Sequence, residues 1–140
     1  MNGGYIDWRG LFLSGDGRIP RTAWWLGVVL LMLVSGLYEG VAGPTVRLAT
    51  FWFVYPALLW FAACVHWKRL HDRGRSGWWA LLILAAFVAV WPITRPVAAL
   101  LAAPVLVWTV VELGVMPGEQ GANRFGRSPR EPVQASSEAA

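Results

Sequence analysis

The sequence predicts an all-α integral membrane protein: a bundle of four transmembrane helices with both termini cytoplasmic and a short amphipathic amino-terminal segment. Two observations set the class. The 140-residue chain is 56% hydrophobic and 14% charged and carries ten tryptophans, a composition that belongs to membrane proteins rather than soluble domains. Ten of the twelve basic residues lie in three short polar segments that alternate with long apolar stretches. Lys and Arg favour the cytoplasmic side of a bilayer, so this alternation sets the orientation.

Residues 1–22 form a cytoplasmic segment carrying Arg9, Arg18 and Arg21. Trp8, Leu11 and Phe12 stand at i, i+3 and i+4, with Tyr5 and Ile6 nearby. That spacing suits a short helix lying on the inner leaflet or an irregular segment packed under the bundle. No cleavable signal peptide is evident, since no early apolar core is present. The transmembrane domain occupies residues 23–116. Its spans read as Ala23–Tyr38, extensible to Gly43, then Leu48–Trp67, Gly77–Ile93 and Val97–Met116, each near the roughly 17–25 residues a membrane helix needs. Thr94-Arg95-Pro96 makes a tight turn between the last two, bracketed by Pro92 and Pro96. Trp24, Trp25, Trp67, Trp78 and Trp79 fall at cytoplasmic ends and Trp91 at the opposite one, as aromatic belts do.

Small residues four apart are expected to let helices approach closely: Gly36 and Gly40, Ala85 and Ala89, Ala98 and Ala102, Ala99 and Ala103. Pro56 and Pro104 fall mid-span and bend their helices unless neighbours compensate. Residues 117–129 form a cytoplasmic closing motif, and 130–140 read as a disordered tail. Cys64 is the single cysteine, so no intrachain disulfide forms.

Three polar motifs converge on the cytoplasmic face. The first is Gly17-Arg18-Ile19-Pro20-Arg21. The second runs Lys68-Arg69-Leu70-His71-Asp72-Arg73-Gly74-Arg75-Ser76-Gly77-Trp78-Trp79. The third is Pro117-Gly118-Glu119-Gln120-Gly121-Ala122-Asn123-Arg124-Phe125-Gly126-Arg127-Ser128-Pro129. Together they resemble the bacterial inner-membrane family known as domain of unknown function 805, with its GRISR-like box, RLHD-x-G-x-SGWW loop and G-x-NRYG-x-x-P ending. The likeness runs from about Phe12 to Pro129, and the central loop is its specific part. Pro20 stands where the family often has Ser, leaving Thr22 as a substitute cap. Phe125 replaces the usual Tyr and lacks its phenol. The resemblance implies a small multi-spanning protein of the bacterial cytoplasmic membrane; it implies no activity.

Physically, Arg18, Arg21, Arg69, Arg73, Arg75 and Arg124 form a basic platform, and Ser76 caps the third span. Arginine forks beside a helix start flanked by Gly74 and Gly77 suit an anionic lipid headgroup or other phosphate. In that reading Asp72 orients the arginines and Asn123 shapes the closing turn, with Gly17, His71, Trp78 and Gly126 as framework. The competing reading is that Asp72 pairs with Arg18 or Arg69 and the cluster only locks the loops.

Two histidines and one cysteine are too few for a zinc centre, and Ser76, His71 and Asp72 are too close in sequence for a triad. No metal, cofactor or nucleic-acid partner is expected, and the role reads as non-enzymatic. A membrane-protein partner or homo-oligomer is compatible with it. Glu112 lies within the last span at about the depth of His66 and is expected to bond to it or to reach Arg69. The alternative function is a small transporter or channel component using Glu112 and His66.

Overall fold

The computed structural model describes residues 7–90 and 96–129. The expectations at Tyr5, Ile6, Trp91, Pro92, Thr94, Arg95 and the tail after Pro129 lie outside them. Five α-helices follow in order: α1 (Trp8–Leu13), α2 (Arg21–Val41), α3 (Pro44–Asp72), α4 (Trp79–Val90) and α5 (Pro96–Thr109). The last continues into a π-helical segment, Val110–Val115.

Among the described residues three helices are long and apolar enough to cross a membrane: Arg21–Val41, Pro44–Asp72 and Pro96–Val115. The apolar helix α4 is shorter, at 12 residues, and starts after a turn through Ser76–Trp78 rather than at Gly77.

The amino-terminal segment forms the short helix that the i, i+3, i+4 spacing predicts, and it packs on the bundle. Asp7 caps α1, its Oδ1 accepting from Gly10 N–H at 3.0 Å. Leu11 turns inward, Trp8 and Leu13 stay exposed, and Phe12 meets Phe61 edge-on at 5.8 Å. Helix α1 therefore packs against α3. Lys68 reaches it from α3, donating to the Gly10 carbonyl.

Helix α2 begins at Arg21 with Pro20 as its cap and no side-chain cap bond. Thr22 sits inside the helix and does not serve as the substitute cap. Proline suits this end, where free N–H groups are already in excess. Helix α3 carries a proline at its first position and runs through Pro56 without a break in helical assignment. Its 29 residues span about 43 Å, beyond the ~30 Å hydrocarbon core. Lys68–Asp72, expected in a connecting loop, form its last turns. They remain helical because their polar side chains are buried against partners from distant segments.

The core sits at the polar end, among Leu11, Ile19, Trp24, Val65, Leu70, Ala80, Ile83 and Leu113. Trp24 is 1% exposed, so it belongs to this core and not to an aromatic belt. Gly27 lies close to Val65, whereas Gly36 and Gly40 face open space. Intrachain packing therefore uses Gly27 on α2, and Ala80, Ile83 and Ala86 on α4, in place of the Gly36/Gly40 and Ala85/Ala89 pairs.

At the far end of the α2–α3 hairpin a second polar group forms. Arg47 Nη1 lies 2.7 Å from Glu39 Oε2, Tyr55 donates its hydroxyl to Glu39 Oε1, and the Tyr38 and Thr50 hydroxyls are 2.7 Å apart.

Candidate functional site

The three polar motifs meet at one end of the molecule around Asp72, the last residue of α3. Its side chain is 4% exposed and faces two arginines that are themselves buried, Arg18 at 1% and Arg69 at 0%. Arg18 Nε donates to Asp72 Oδ1 at 3.1 Å, and Arg69 Nη1 pairs with Oδ2. A carboxylate between two guanidinium groups leaves one surplus positive charge in a buried setting. Such charge is tolerated only where the remaining N–H donors find acceptors.

Backbone carbonyls supply them. Arg69 Nε reaches Leu113 O at 2.7 Å and Nη2 reaches Met116 O at 2.6 Å. Arg18 donates to the carbonyls of Glu119 at 2.6 Å, Gly121 at 2.8 Å and Gly126 at 3.2 Å. Residues 117–126 thus wrap around the Arg18 side chain.

These acceptors exist because of how the last span ends. The final carbonyls of a helix lack intrahelical partners, and its C-terminus carries partial negative charge. Here the helix widens to a π turn, with Met116 N–H donating to Val111 O at 3.0 Å. Its terminal carbonyls are then capped from other elements. Besides the two bonds from Arg69, Trp25 Nε1 donates to Gly114 O at 3.1 Å, Arg21 Nη1 to Val115 O at 3.4 Å, and Arg73 Nη1 to Pro117 O.

The π turn also places Glu112, whose expected bond to His66 or Arg69 is not the one that forms. Glu112 Oε1 accepts from Arg75 Nε at 2.8 Å and from Arg73 Nε and Nη2 at 3.3 and 3.1 Å. His66 Nδ1 instead lies 2.7 Å from Ala62 O on its own helix. The expectation assumed an ordinary helical register for Glu112, and the wider turn alters it.

The closing motif is a small folded unit. Asn123 and Gly126 exchange N–H···O bonds, both at 3.0 Å. Asn123 Oδ1 accepts from Phe125 N–H at 2.9 Å, while Nδ2 donates to His71 O at 3.0 Å and Glu119 Oε2 at 2.8 Å. Asn123 therefore both shapes the closing turn and ties it to α3. Phe125 stacks flat on His71, centroids 3.7 Å apart and planes 5° from parallel, and Arg124 lies over the same ring at 4.6 Å. The ring face serves here, and a phenol is not needed for it.

Glycines permit the close approaches. Gly74, at φ +66°, ends α3 in a left-handed conformation that a side chain disfavours. A Cβ on Gly118 would lie 1.9 Å from Asp72 Oδ2, and one on Gly77 would lie 2.1 Å from the Trp67 ring. Ser76 contributes its carbonyl to the first turn of α4, accepting from Trp79 N–H at 3.3 Å. Trp78 is exposed beside Trp67, and Gly17 turns the chain before Arg18 at φ +88°.

Gly118 and Glu119 lie in the third motif but carry no assigned role in the sequence reading, because they act largely through backbone: Glu119 N–H donates to Asp72 O at 2.8 Å and its carbonyl takes Arg18. Among the described residues no group of three His, Cys, Asp or Glu side chains could hold a metal.

A family model described as protein of unknown function (DUF805) matches residues 12–127. The chain belongs to this family. Among its relatives, the uncharacterized protein YiiR of Escherichia coli K12 is 34% identical over 127 residues, covering 81% of this chain and 84% of YiiR. The E. coli K12 inner membrane protein YhaH is 30% identical over 127 residues, covering 85% of this chain and 89% of YhaH. No solved structure matches significantly. This DUF805 chain is a membrane protein, and the matched region begins in α1 and ends in the closing motif that wraps Arg18.

Proposed function

We propose that this DUF805 protein is a non-enzymatic, four-pass protein of the bacterial cytoplasmic membrane, both termini inside. In this reading its polar end is a rigid basic platform that binds anionic lipid headgroups of the inner leaflet. The observation that carries the reading is the division of the arginines into two sets. Arg18 and Arg69 are buried and spend their donors on Asp72 and on carbonyls. Arg21, Arg75, Arg124 and Arg127 are exposed on the same motifs, and Arg9 is exposed on α1. The buried set holds the segments together, and the exposed set presents charge, worth about 1 kcal/mol per basic residue near an anionic surface.

Asp72 has both carboxylate oxygens engaged by arginines, so it is not free to orient His71 as an acid–base group. Both facts favour a binding surface over catalysis.

The test uses the full chain in nanodiscs containing phosphatidylglycerol and phosphatidylethanolamine, with retained lipid counted by native mass spectrometry. Phosphatidylglycerol should be enriched around the wild type and lose that enrichment when Arg9, Arg21, Arg124 and Arg127 are all changed to Gln. Equal retention of both lipids by the wild type would sink the reading. Specific capture of a partner protein without lipid preference would replace it with a docking role.

A further inference from the structure

Arg75 differs from the other exposed arginines. Its Nε is held at 2.8 Å by Glu112, and its Cζ lies 5.6 Å from the centre of the Trp108 ring. Trp108 in turn contacts Trp79, centroids 5.6 Å apart. The guanidinium is thus oriented by a carboxylate on one side and an indole on another, yet the side chain stays 42% exposed. Among the described residues its bonds to protein acceptors run through Nε alone. The two terminal nitrogens keep the paired donor edge that fits a phosphate.

Charge and position agree with that fit. Glu112 is shared by Arg73 and Arg75, so the group carries one net positive charge. It sits where α4 begins and the last span ends, and the exposed aliphatic side chains Leu82, three residues after Trp79, and Leu101, seven residues before Trp108, continue away from the polar end. Tryptophan prefers the headgroup level of a bilayer, and apolar surface beside it accommodates acyl chain.

We propose that Arg75, oriented by Glu112 and Trp108, is a discrete seat for the phosphate of one anionic phospholipid, its chains lying along the α4–α5 edge. The inference deepens the platform reading and rests on it. Diffuse attraction spreads over all exposed arginines and sets the overall enrichment; the seat adds one tightly held lipid, which the four-arginine variant keeps.

The experiment counts phosphatidylglycerol retained by the full-length protein from mixed nanodiscs in native mass spectrometry, with correct folding checked by circular dichroism. Arg75→Gln should lower the affinity of one retained lipid about tenfold, as expected for loss of charge-assisted bonds. Arg124→Gln should change it less than about twofold, because among the described residues no carboxylate orients Arg124, whose guanidinium lies over the Phe125 ring and donates to Gly74 O at 3.3 Å. If Arg75→Gln does not fold, Trp108→Leu keeps every charge and should weaken the same lipid about threefold.

Wild-type retention in Arg75→Gln overturns the seat. If the four-arginine variant still loses enrichment in that case, the platform reading stands without the seat. A wild type with no anionic preference overturns both. Displacement of the lipid by millimolar inorganic phosphate reassigns the site to free phosphate and overturns the lipid assignment.

Discussion

The two ends of the α2–α3 hairpin carry the same chemistry at different depths. At the polar end, Asp72 is 4% exposed between arginines at 0% and 1%; at the far end, Glu39 is 25% and Arg47 40% exposed. An exposed ion pair is worth roughly 0–1 kcal/mol, since water already solvates both partners and salt screens them. Removing one partner of a buried pair leaves an uncompensated charge and costs about 3–5 kcal/mol. Burial, not the ion pair itself, turns the polar end into a structural lock. At the far end the same contact is a modest clasp.

The comparison breaks most directly at Asp72. Asp72→Ala should lower stability by about 3–5 kcal/mol, measured by unfolding in mixed micelles, because two buried guanidinium groups lose their carboxylate. A cost below about 1 kcal/mol would mean that the carbonyl bonds alone hold the arginines. Next comes Gly118→Ala. Its Cβ would press on a carboxylate that Arg18 and Arg69 hold in place, so we expect a loss of about 1–3 kcal/mol in the same assay.

Phe125→Ala should cost somewhat less, about 0.5–1.5 kcal/mol for the lost stack on His71 beyond its area term. Phe125→Tyr keeps the ring face and should be near neutral, with hydrogen exchange of the closing motif unchanged. The smallest effect is expected at Glu39→Gln, under about 1 kcal/mol and shrinking further in high salt. A Glu39→Gln loss as large as that of Asp72→Ala would erase the distinction between the two ends.

Legibility in the sequence followed the same division. The apolar stretches located three helices long and apolar enough to cross a membrane, and the i, i+3, i+4 pattern at Trp8, Leu11 and Phe12 located α1. The pairing of Asp72 with Arg18 or Arg69 was also readable as an alternative, and the structure forms both. What failed was whatever depended on distant backbone. Lys68–Asp72 look like a loop because five mostly polar residues follow an apolar run. They are helical because residues 10, 18, 113 and 116 meet them in space. Glu112 was given the wrong partner because a π turn cannot be seen in side-chain spacing. Trp24 looked like a belt residue because composition alone does not distinguish an indole in the core from one at an interface.

The Arg18 contacts carry a consequence for synthesis. Arg18 is made about a hundred residues before its acceptors at Glu119, Gly121 and Gly126. Every apolar helix must emerge, and be placed, before that side chain finds its acceptors. Contacts spanning about a hundred residues form late because chain closure must precede them. Until the ribosome passes Gly126, the nascent chain carries Arg18 and Asp72 without their full enclosure. A chain stopped before residue 117 would keep its apolar helices and still lack the wrap around Arg18. Completion of the polar end would then mark a finished fold, as a closed clasp distinguishes a chain that has passed Gly126 from one interrupted before it.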